Sequence, residues 1–227
     1  KKFWSYLMNS ELKKRILTSI ILISLLTAMY FYTFIMIVSL IIIAMIAWIE
    51  FYALLSKIIR NNNFKDKLLR LIYKAISLLY LSLLVYFIFA IESYYLNLKV
   101  YLLYSILVAI MSDIGGLVFG KAFKGKKLIK ISPNKTISGS IGSFIFSLLL
   151  IPFFYEELIK YDFLILVLIT IIISLTSQLG DLFISSLKRK AKVKDTSDIL
   201  PGHGGILDRI DGIIFAIPVG LLLLNLF

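Results

Sequence analysis

ILTSIILISLLTAMYFYTFIMIVSLIIIAMIAWIEFYALLSK, residues 16–57, is apolar over nearly its whole length. A helix needs about 20 apolar residues to cross a hydrocarbon core of about 30 Å. The run is therefore long enough for two membrane spans. We place the break between them at residues 30–33, where the sequence YFYT supplies aromatic side chains that favour the membrane interface.

Five further apolar runs have about the same length, at residues 71–91, 100–119, 138–155, 163–178 and 206–227. Together with the first pair, they predict an all-α fold. The chain is therefore expected to be a polytopic membrane protein with about seven transmembrane helices. No signal-peptide cleavage pattern is visible, because the first apolar run leads directly into the second.

The composition supports a membrane protein over a soluble one. Of the 227 residues, 60% are hydrophobic, although 25 Lys and Arg against 13 Asp and Glu give a formal net charge of +12. Soluble domains are about 45 to 50% apolar. The basic residues lie in short runs between apolar stretches, which argues against nucleic acid as a partner. The absence of Cys excludes thiolate-ligated metals, and the single His203 excludes a multi-histidine metal site.

The basic residues are concentrated in alternate loops, which predicts the orientation of the spans. Lys and Arg favour loops on the cytoplasmic side of a membrane. The basic loops carry Lys1, Lys2, Lys13, Lys14 and Arg15; Lys57, Arg60, Lys65, Lys67 and Arg70; Lys121, Lys124, Lys126, Lys127, Lys130 and Lys135; and Lys188, Arg189, Lys190, Lys192 and Lys194. The intervening loops hold only Lys99 and Lys160. We expect a multi-pass protein of the cytoplasmic (inner) membrane whose polar site faces the cytoplasm.

The first polar segment, residues 113–142, reads DIGGLVFGKAFKGKKLIKISPNKTISGSIG. Asp113 lies near the inner end of the fourth predicted span, where an ionised carboxylate is costly unless it faces a partner or water. It is therefore a functional candidate. Glycines that permit close helix approach flank the segment at Gly115, Gly116, Gly120, Gly139 and Gly142.

Polar side chains precede the fifth predicted span at Ser132, Asn134, Lys135, Thr136 and Ser138. The free N–H groups and the dipole of a helix N-terminus favour an anion such as phosphate. A helix-capping loop, with Thr136 or Ser138 as the N-cap, accounts for the same residues equally well. The segment alone leaves both interpretations open.

The second polar segment, residues 177–211, reads SQLGDLFISSLKRKAKVKDTSDILPGHGGILDRID. It interleaves Asp181, Asp195, Asp198, Asp208 and Asp211 with Lys188, Arg189, Lys194, His203 and Arg209. If the chain is helical from Ile206 onward, Asp208 and Asp211 share a face and suit one hard cation, with Asp181 as a third ligand. Neighbouring basic groups indicate that such a cation arrives with phosphates.

Gly202, Gly204 and Gly205 surround His203 and would let backbone N–H groups approach an oxyanion. A salt-bridged interfacial loop with solvated charges is the alternative. That alternative explains the lysines, but it does not explain why acids stand at the ends of spans.

Residues 185–211, SSLKRKAKVKDTSDILPGHGGILDRID, resemble the signature of the CDP-diglyceride synthetases, also called phosphatidate cytidylyltransferases. Every specified position of that signature is matched, including Lys-Arg, Lys-Asp, His-Gly-Gly and the final Asp-Arg-Ile-Asp. SQLGDL at 177–182 and ISPNKT at 131–136 are similar to further elements of the family. The family's Trp-Glu-Gly after that Thr is replaced by Ile137, Ser138 and Gly139, so no acidic role is assigned there.

The resemblance implies transfer of CMP from CTP to phosphatidic acid, which forms CDP-diacylglycerol and pyrophosphate in phospholipid biosynthesis. It implies a requirement for Mg²⁺, and a homodimer in the lipid bilayer. It also divides the chain into an N-terminal transmembrane region, residues 1–95, and a C-terminal catalytic transmembrane region, residues 96–227, that carries the signature.

The implied site uses nearly all of the polar residues named above. Asp181, Asp208 and Asp211 would bind the metal, and Asp113 would serve a second cation or orient a basic residue. The catalytic residues would be Asp208, Asp211, Lys188, Arg209 and His203. Of these, His203 would donate a hydrogen bond to the leaving pyrophosphate. Substrate phosphates would be held by Ser132, Asn134, Lys135, Thr136, Arg189, Lys194, Gly204 and Gly205.

Other functions remain open from the residues. A CTP-dependent lipid kinase would need a similar metal–triphosphate site. An ion or phosphate transporter could line its pathway with intramembrane carboxylates, although such proteins often have internal repeats, and none is visible here. A membrane assembly factor would leave the aspartates unexplained.

Overall fold

The computed structural model describes residues 2–60, 63–95, 98–129, 132–158 and 161–226, and their side chains except those of residues 2–11, 129 and 132–134. Lys1, Lys130, Ile131, Lys160 and Phe227, which entered the predictions above, lie outside these ranges, as do the side chains of Lys2, Ser132 and Asn134. The helices are α1 (Lys2–Phe31), α2 (Thr33–Ile58), α3 (Phe64–Tyr94), α4 (Lys99–Phe123), α5 (Ile137–Leu148), α6 (Ile151–Phe154), α7 (Phe163–Lys190), α8 (Leu207–Ile210) and α9 (Ile213–Leu226).

Six helical segments of the described chain are long and apolar enough to cross a membrane: Leu12–Phe31, Thr33–Ile58, Phe64–Tyr94, Lys99–Phe123, Ile137–Phe154 and Phe163–Lys190. Helices suit this setting because lipid offers no hydrogen-bond partner to an open backbone. The predicted all-α, polytopic fold is confirmed. The first pair of spans is separated at Tyr32, whose extended φ of −125° and ψ of 103° interrupt the helix within the predicted break.

The seventh predicted span, residues 206–227, is not one of the six. The chain forms the four-residue α8, turns at Asp211 and Gly212, and continues as the 14-residue α9. The Gly212 N–H donates to Oδ1 of Asp211 at 2.9 Å, so the side chain takes a donor that a continuous helix would use. The expectation of one helix from Ile206 onward was therefore wrong, and the argument that Asp208 and Asp211 share a helix face does not apply.

A short hairpin interrupts the helices between α4 and α5. Strand β1 (Lys127–Ile129) pairs antiparallel with β2 (Ser132–Thr136), with Lys127 opposite Thr136. The sequence analysis expected a loop here. The hairpin leads directly into α5, so the polar residues of β2 are fixed relative to the start of that helix.

The chain forms two compact units. We call Lys1–Phe89 with Lys190–Arg209 the N-terminal unit, and Ala90–Arg189 with Ile210–Phe227 the C-terminal unit. The signature, residues 185–211, is therefore divided, with its middle part in the N-terminal unit and both of its ends in the C-terminal unit. In the N-terminal unit, Trp48 Nε1 donates to the Lys74 carbonyl at 3.1 Å, and the Lys74 ammonium lies 5.0 Å from the Trp48 ring centroid.

The C-terminal unit has a continuous buried core around α4, α7 and α9, consisting of Tyr104, Val108, Ala109, Ile151, Leu158, Tyr161, Leu166, Ile169, Ile173, Ala216 and Leu224. Helices α4 and α5 pack closely because glycines face each other. A Cβ placed on Gly115 would lie 2.3 Å from the Gly142 carbonyl oxygen, and one on Gly142 would lie 2.4 Å from Cβ of Phe119. The predicted close approach at these glycines is confirmed.

Candidate active site

Asp211 lies in the turn outside the six spanning helices, close enough to Asp113 on α4 and Asp181 on α7 for their charges to act on it. Asp211 is only 6% exposed. Burial raises the pKa of Asp211 to about 8, with further increases from the charges of Asp181 and Asp113 and an opposing decrease from Lys188. We call these three side chains, Asp113, Asp181 and Asp211, the carboxylate cluster.

Two ammonium groups belong to this carboxylate cluster. Lys188 lies on α7 with 9% of its surface exposed. The Lys135 ammonium, on β2, forms an ion pair with Oδ2 of Asp181, and the Ser185 hydroxyl donates to Oδ1 of the same carboxylate at 3.1 Å. Lys135, predicted to hold substrate phosphates, and Lys188, predicted to be catalytic, thus lie beside the carboxylates predicted to bind metal.

Close packing fixes the turn that carries Asp211. A Cβ on Gly212 would lie 2.4 Å from the Ser177 hydroxyl, so only glycine fits against α7 here. Ser177 is fully buried, and its hydroxyl has no hydrogen-bond partner among the described residues. The turn is thus pressed onto the start of the SQLGDL element, four residues before Asp181.

Thr136 is the N-cap of α5, so the capping interpretation of this segment is confirmed. Its hydroxyl accepts a hydrogen bond from the Gly139 N–H at 3.0 Å and lies 3.0 Å from the Ser138 hydroxyl. The Ser138 hydroxyl in turn accepts from the Gly125 N–H at 3.3 Å. Phosphate binding by Thr136 stays a prediction, as it does for Ser132 and Asn134.

The middle of the signature folds into a loop within the N-terminal unit, and Asp208 organises it. One oxygen of Asp208, Oδ2, accepts from the Thr196 N–H at 2.8 Å and the Gly205 N–H at 3.0 Å, and it lies 2.9 Å from the Thr196 hydroxyl. Gly204 adopts a positive φ of 84° and pairs with Leu200, which closes the His-Gly-Gly turn. Metal binding by Asp208 stays a prediction beside this loop-forming role.

The remaining basic candidates lie outside the carboxylate cluster or on exposed surface, and their contacts do not indicate a role. The Arg209 guanidinium donates to the His203 carbonyl through Nε at 3.0 Å, and it is exposed, as are Arg189 and Lys194. His203 Nδ1 is buried without a hydrogen-bond partner in the described part of the chain. Donation from His203 to a leaving group stays a prediction.

The sequence analysis missed Glu50. This residue of α2 is 2% exposed, and it accepts hydrogen bonds from the loop formed by residues 196–207, which we call the signature loop. The donors are the Thr196 and Ser197 side chains and the backbone N–H groups of Ile206 and Leu207. A signal was present in the sequence, since an acid within an apolar span is a functional candidate by default. The distance of about 150 residues from the signature concealed the connection.

The carboxylate cluster fits a divalent cation in donor type and in charge. Oxygen donors suit Mg²⁺, and a cation would favour the ionised form of Asp211, whose pKa is raised mainly by burial and further by the neighbouring carboxylates. Within the described ranges, no three Asp, Glu or His side chains converge on one ion position. Such convergence is not required, because Mg²⁺ commonly binds one or two carboxylates and takes its other ligands from substrate phosphates and water.

Comparisons with known proteins point to one family. Its sequence model, described as the Cytidylyltransferase family, matches residues 3–227. The phosphatidate cytidylyltransferase of Staphylococcus haemolyticus (strain JCSC1435) is 46% identical over 120 residues, which cover 52% of this chain and 46% of the relative. The phosphatidate cytidylyltransferase of Bacillus subtilis (strain 168) is 43% identical over 126 residues, which cover 55% of this chain and 47% of the relative.

The matches to the individual relatives are partial. A third phosphatidate cytidylyltransferase, from Staphylococcus aureus (strain COL), is 44% identical over 120 residues, and its match has the same extent as that of the S. haemolyticus protein. The chain thus spans about half the length of the relatives it matches. The family model, by contrast, covers almost every residue, and the chain therefore belongs to the cytidylyltransferase family.

Proposed function

We propose that the chain transfers CMP from CTP to phosphatidic acid, forming CDP-diacylglycerol and pyrophosphate. The observation that carries the proposal is the carboxylate cluster of the C-terminal unit, where Asp113, Asp181 and Asp211 lie with Lys135 and Lys188. Carboxylates alone suit a cation, whereas carboxylates with ammonium groups suit a cation that binds together with phosphates. Family membership and the names of the relatives support the same activity.

The reaction places modest demands on acid–base chemistry. An ionised phosphate oxygen of phosphatidic acid attacks the α-phosphorus of CTP and forms a new P–O bond. The bond from the α-phosphorus to the α,β-bridging oxygen breaks, and pyrophosphate leaves with that electron pair. Since the nucleophile is already anionic, the protein has mainly to hold two negative substrates in line and stabilise the charge of the transition state.

The residues of the cluster supply these functions. Asp181 and Asp211 would hold Mg²⁺, with Asp113 as a further ligand or at a second cation. When bound, the ion would neutralise charge on the phosphate oxygens. Lys188 and Lys135 would orient the triphosphate and lower the repulsion between the two substrates, and the buried setting of Lys188 would strengthen its electrostatic effect.

The membrane setting completes the proposal. The lipid substrate is a bilayer component, which suits a multi-pass protein, and CTP is cytoplasmic, which suits the orientation predicted from the basic loops. We therefore place the chain in the cytoplasmic membrane, with its site facing the cytoplasm and as a homodimer. Crosslinking in native membranes tests the oligomeric state, and a monomer would contradict this part of the proposal.

The activity is tested with purified protein in mixed micelles of detergent and phosphatidic acid, supplied with Mg²⁺ and CTP labelled at the α-phosphate. We expect label in the organic phase together with an equimolar amount of pyrophosphate. Label in lipid from γ-labelled CTP would instead indicate a lipid kinase. Folded protein that consumes no CTP under these conditions would also contradict the proposal.

A further inference from the structure

Glu50 is a buried carboxylate of the N-terminal unit, and both of its oxygens accept hydrogen bonds from the signature loop, residues 196–207. Oε2 accepts from the Thr196 hydroxyl at 2.9 Å and from the Leu207 N–H at 2.8 Å. Oε1 accepts from the Ser197 hydroxyl and from the Ile206 N–H at 3.1 Å. A single side chain from α2 thus binds both ends of the loop, at residues 196–197 and at residues 206–207.

These donors account for a carboxylate that would otherwise be costly at 2% exposure. Hydrogen bonds to an ionised acceptor are about twice as strong as those between neutral groups. The Leu207 and Ile206 N–H groups belong to the start of α8, where backbone donors lack partners within the helix. Glu50 therefore satisfies the first turn of α8 from another helix and fixes where α8 begins.

The loop lies against Glu50 without spare room. A Cβ on Gly205 would lie 2.7 Å from Oε2 of Glu50, 2.8 Å from Oε1, and 1.8 Å from the Thr196 hydroxyl. No larger residue fits at this position unless the loop moves away from α2. The second glycine of the His-Gly-Gly element is thus explained by packing onto Thr196 and Glu50.

The contact extends to Asp208 through Thr196. The Thr196 hydroxyl lies 2.9 Å from Oε2 of Glu50 and 2.9 Å from Oδ2 of Asp208. Gly205, which packs on Glu50, also donates its N–H to Asp208. A change at Glu50 should therefore alter the position of Asp208 through Thr196 and Gly205, without a direct hydrogen bond between the two carboxylates.

We propose that Glu50 is a positioning residue, which holds residues 196–207 of the signature in the conformation that places Asp208 and the His-Gly-Gly turn. The geometric part of this inference concerns the loop alone. Its consequence for turnover rests on the proposed function. Glu50 itself has no assigned contact with substrate.

The experiment measures amide hydrogen exchange of the whole chain in detergent, comparing the wild type with Glu50→Gln. The substitution keeps the size of the side chain but turns one acceptor oxygen into an N–H donor that faces the loop donors. We expect the Ile206 and Leu207 amides, and the peptide covering 196–207, to exchange at least about tenfold faster, as for the loss of a hydrogen bond to a charged group. Amides of α5 should not change.

Matched variants separate this effect from general damage. Glu157→Gln makes the same chemical change at an exposed acid of the C-terminal unit and should leave exchange at residues 196–207 unchanged. Glu50→Asp keeps the carboxylate and should accelerate exchange less than Glu50→Gln. If Glu50→Gln does not yield folded protein, Ser197→Ala removes one donor from the loop side and should still accelerate exchange at Ile206 and Leu207.

Activity supplies the second readout. If Asp208 and the His-Gly-Gly turn are mispositioned, kcat/KM for CMP transfer should fall at least about fivefold in Glu50→Gln, the result of losing about 1 kcal/mol of transition-state stabilisation, and it should fall less in Glu50→Asp. Equal losses in Glu50→Gln and Glu50→Asp, at equal amounts of folded protein, would overturn the positioning role.

Exchange at residues 196–207 that stayed at the wild-type rate in folded Glu50→Gln and Ser197→Ala would overturn the inference as well. A wild-type protein without CMP transfer would refute the proposed function, while the exchange measurement would still decide whether Glu50 holds the loop. The two failures are therefore distinguishable.

Discussion

Lys135 of strand β2 and Asp181 of helix α7 form an ion pair, with about a quarter of each side chain exposed at 26% and 25%. The pair brings the hairpin to the carboxylate cluster. It also means that the ammonium group predicted to bind phosphate has a carboxylate partner before any substrate arrives. Binding of a phosphate would then require Lys135 to be shared between the phosphate and Asp181.

Lys135→Ala should lower kcat/KM for CTP at least about tenfold, the effect of losing a charge-assisted contact of about 1.4 kcal/mol or more. Lys127→Ala is the control, since Lys127 is exposed on the paired strand β1. Steady-state kinetics with both variants tests the assignment. Equal effects of the two substitutions would show that only the overall charge of the hairpin matters.

Asp211→Asn should reduce Mg²⁺-dependent turnover by at least about a hundredfold, because the amide cannot supply the charge that a metal ligand supplies to the ion. Asp162→Asn, at an exposed acid of the same unit, should retain activity. The assay is CMP transfer as a function of Mg²⁺, with folding checked by gel filtration. Near-normal turnover of folded Asp211→Asn would remove Asp211 from the metal site.

The raised pKa of Asp211 predicts that the stability of the protein depends on pH. Burial and the neighbouring carboxylates raise the pKa of Asp211 from 3.8 to about 8. The folded state therefore holds this proton more tightly than the unfolded state, so stability should fall as pH rises from about 4 to about 8 and then level off. Apparent melting temperatures in metal-free buffer should show this fall, and Asp211→Asn should show a smaller one. Identical slopes would indicate another titrating group.

Thr136→Val should destabilise the protein by about 0.5 to 2 kcal/mol, since it removes the N-cap acceptor of α5. Thr136→Ser keeps the acceptor and should restore most of that stability. Thr176→Val serves as the control, because the Thr176 hydroxyl donates to the Ile172 carbonyl of its own helix and caps no helix. Thermal unfolding measures capping, and the KM for CTP measures phosphate contact. A raised KM in Thr136→Ser would show that the methyl group also positions the substrate.

Gly142→Ala should destabilise the packing of α4 on α5 by about 1 to 3 kcal/mol, because its Cβ would overlap Phe119 and the backbone at Gly115. Ile141→Ala, one residue earlier on the exposed face of α5, should have a small effect. Thermal unfolding in the same detergent compares the two. A Gly142→Ala protein as stable as the wild type would show that α4 and α5 can separate at little cost.

Much of the architecture could be predicted from the sequence, because span length and loop charge are set by the bilayer rather than by tertiary contacts. Residues 16–57 divide at Tyr32 as expected, and the glycines of α4 and α5 pack as expected. The turn at Asp211 and Gly212 was not predictable, since the apolar run continues through it. The turn packs against Ser177 on α7, a tertiary contact that the sequence alone does not reveal.

The residues of the carboxylate cluster were also identifiable, because acids and lysines at span ends are conspicuous in an apolar chain. The contacts between these residues could not be identified from the sequence. The ion pair of Lys135 with Asp181 and the contacts of Glu50 join residues far apart in sequence. Only the folded chain brings such residues together, so residue type could suggest them as candidates but could not assign their partners.

The helices differ in how much of their surface other parts of the protein cover. In the apolar window of α1, 6% of residues are buried, against 44% in that of α7. Natural variation should therefore be unequal along the chain. Positions on α1 should accept almost any exchange among Leu, Ile, Val and Phe, whereas positions on α7 should be restricted in shape as well as in hydropathy. A library of apolar substitutions would thus return many active variants from α1 and few from α7.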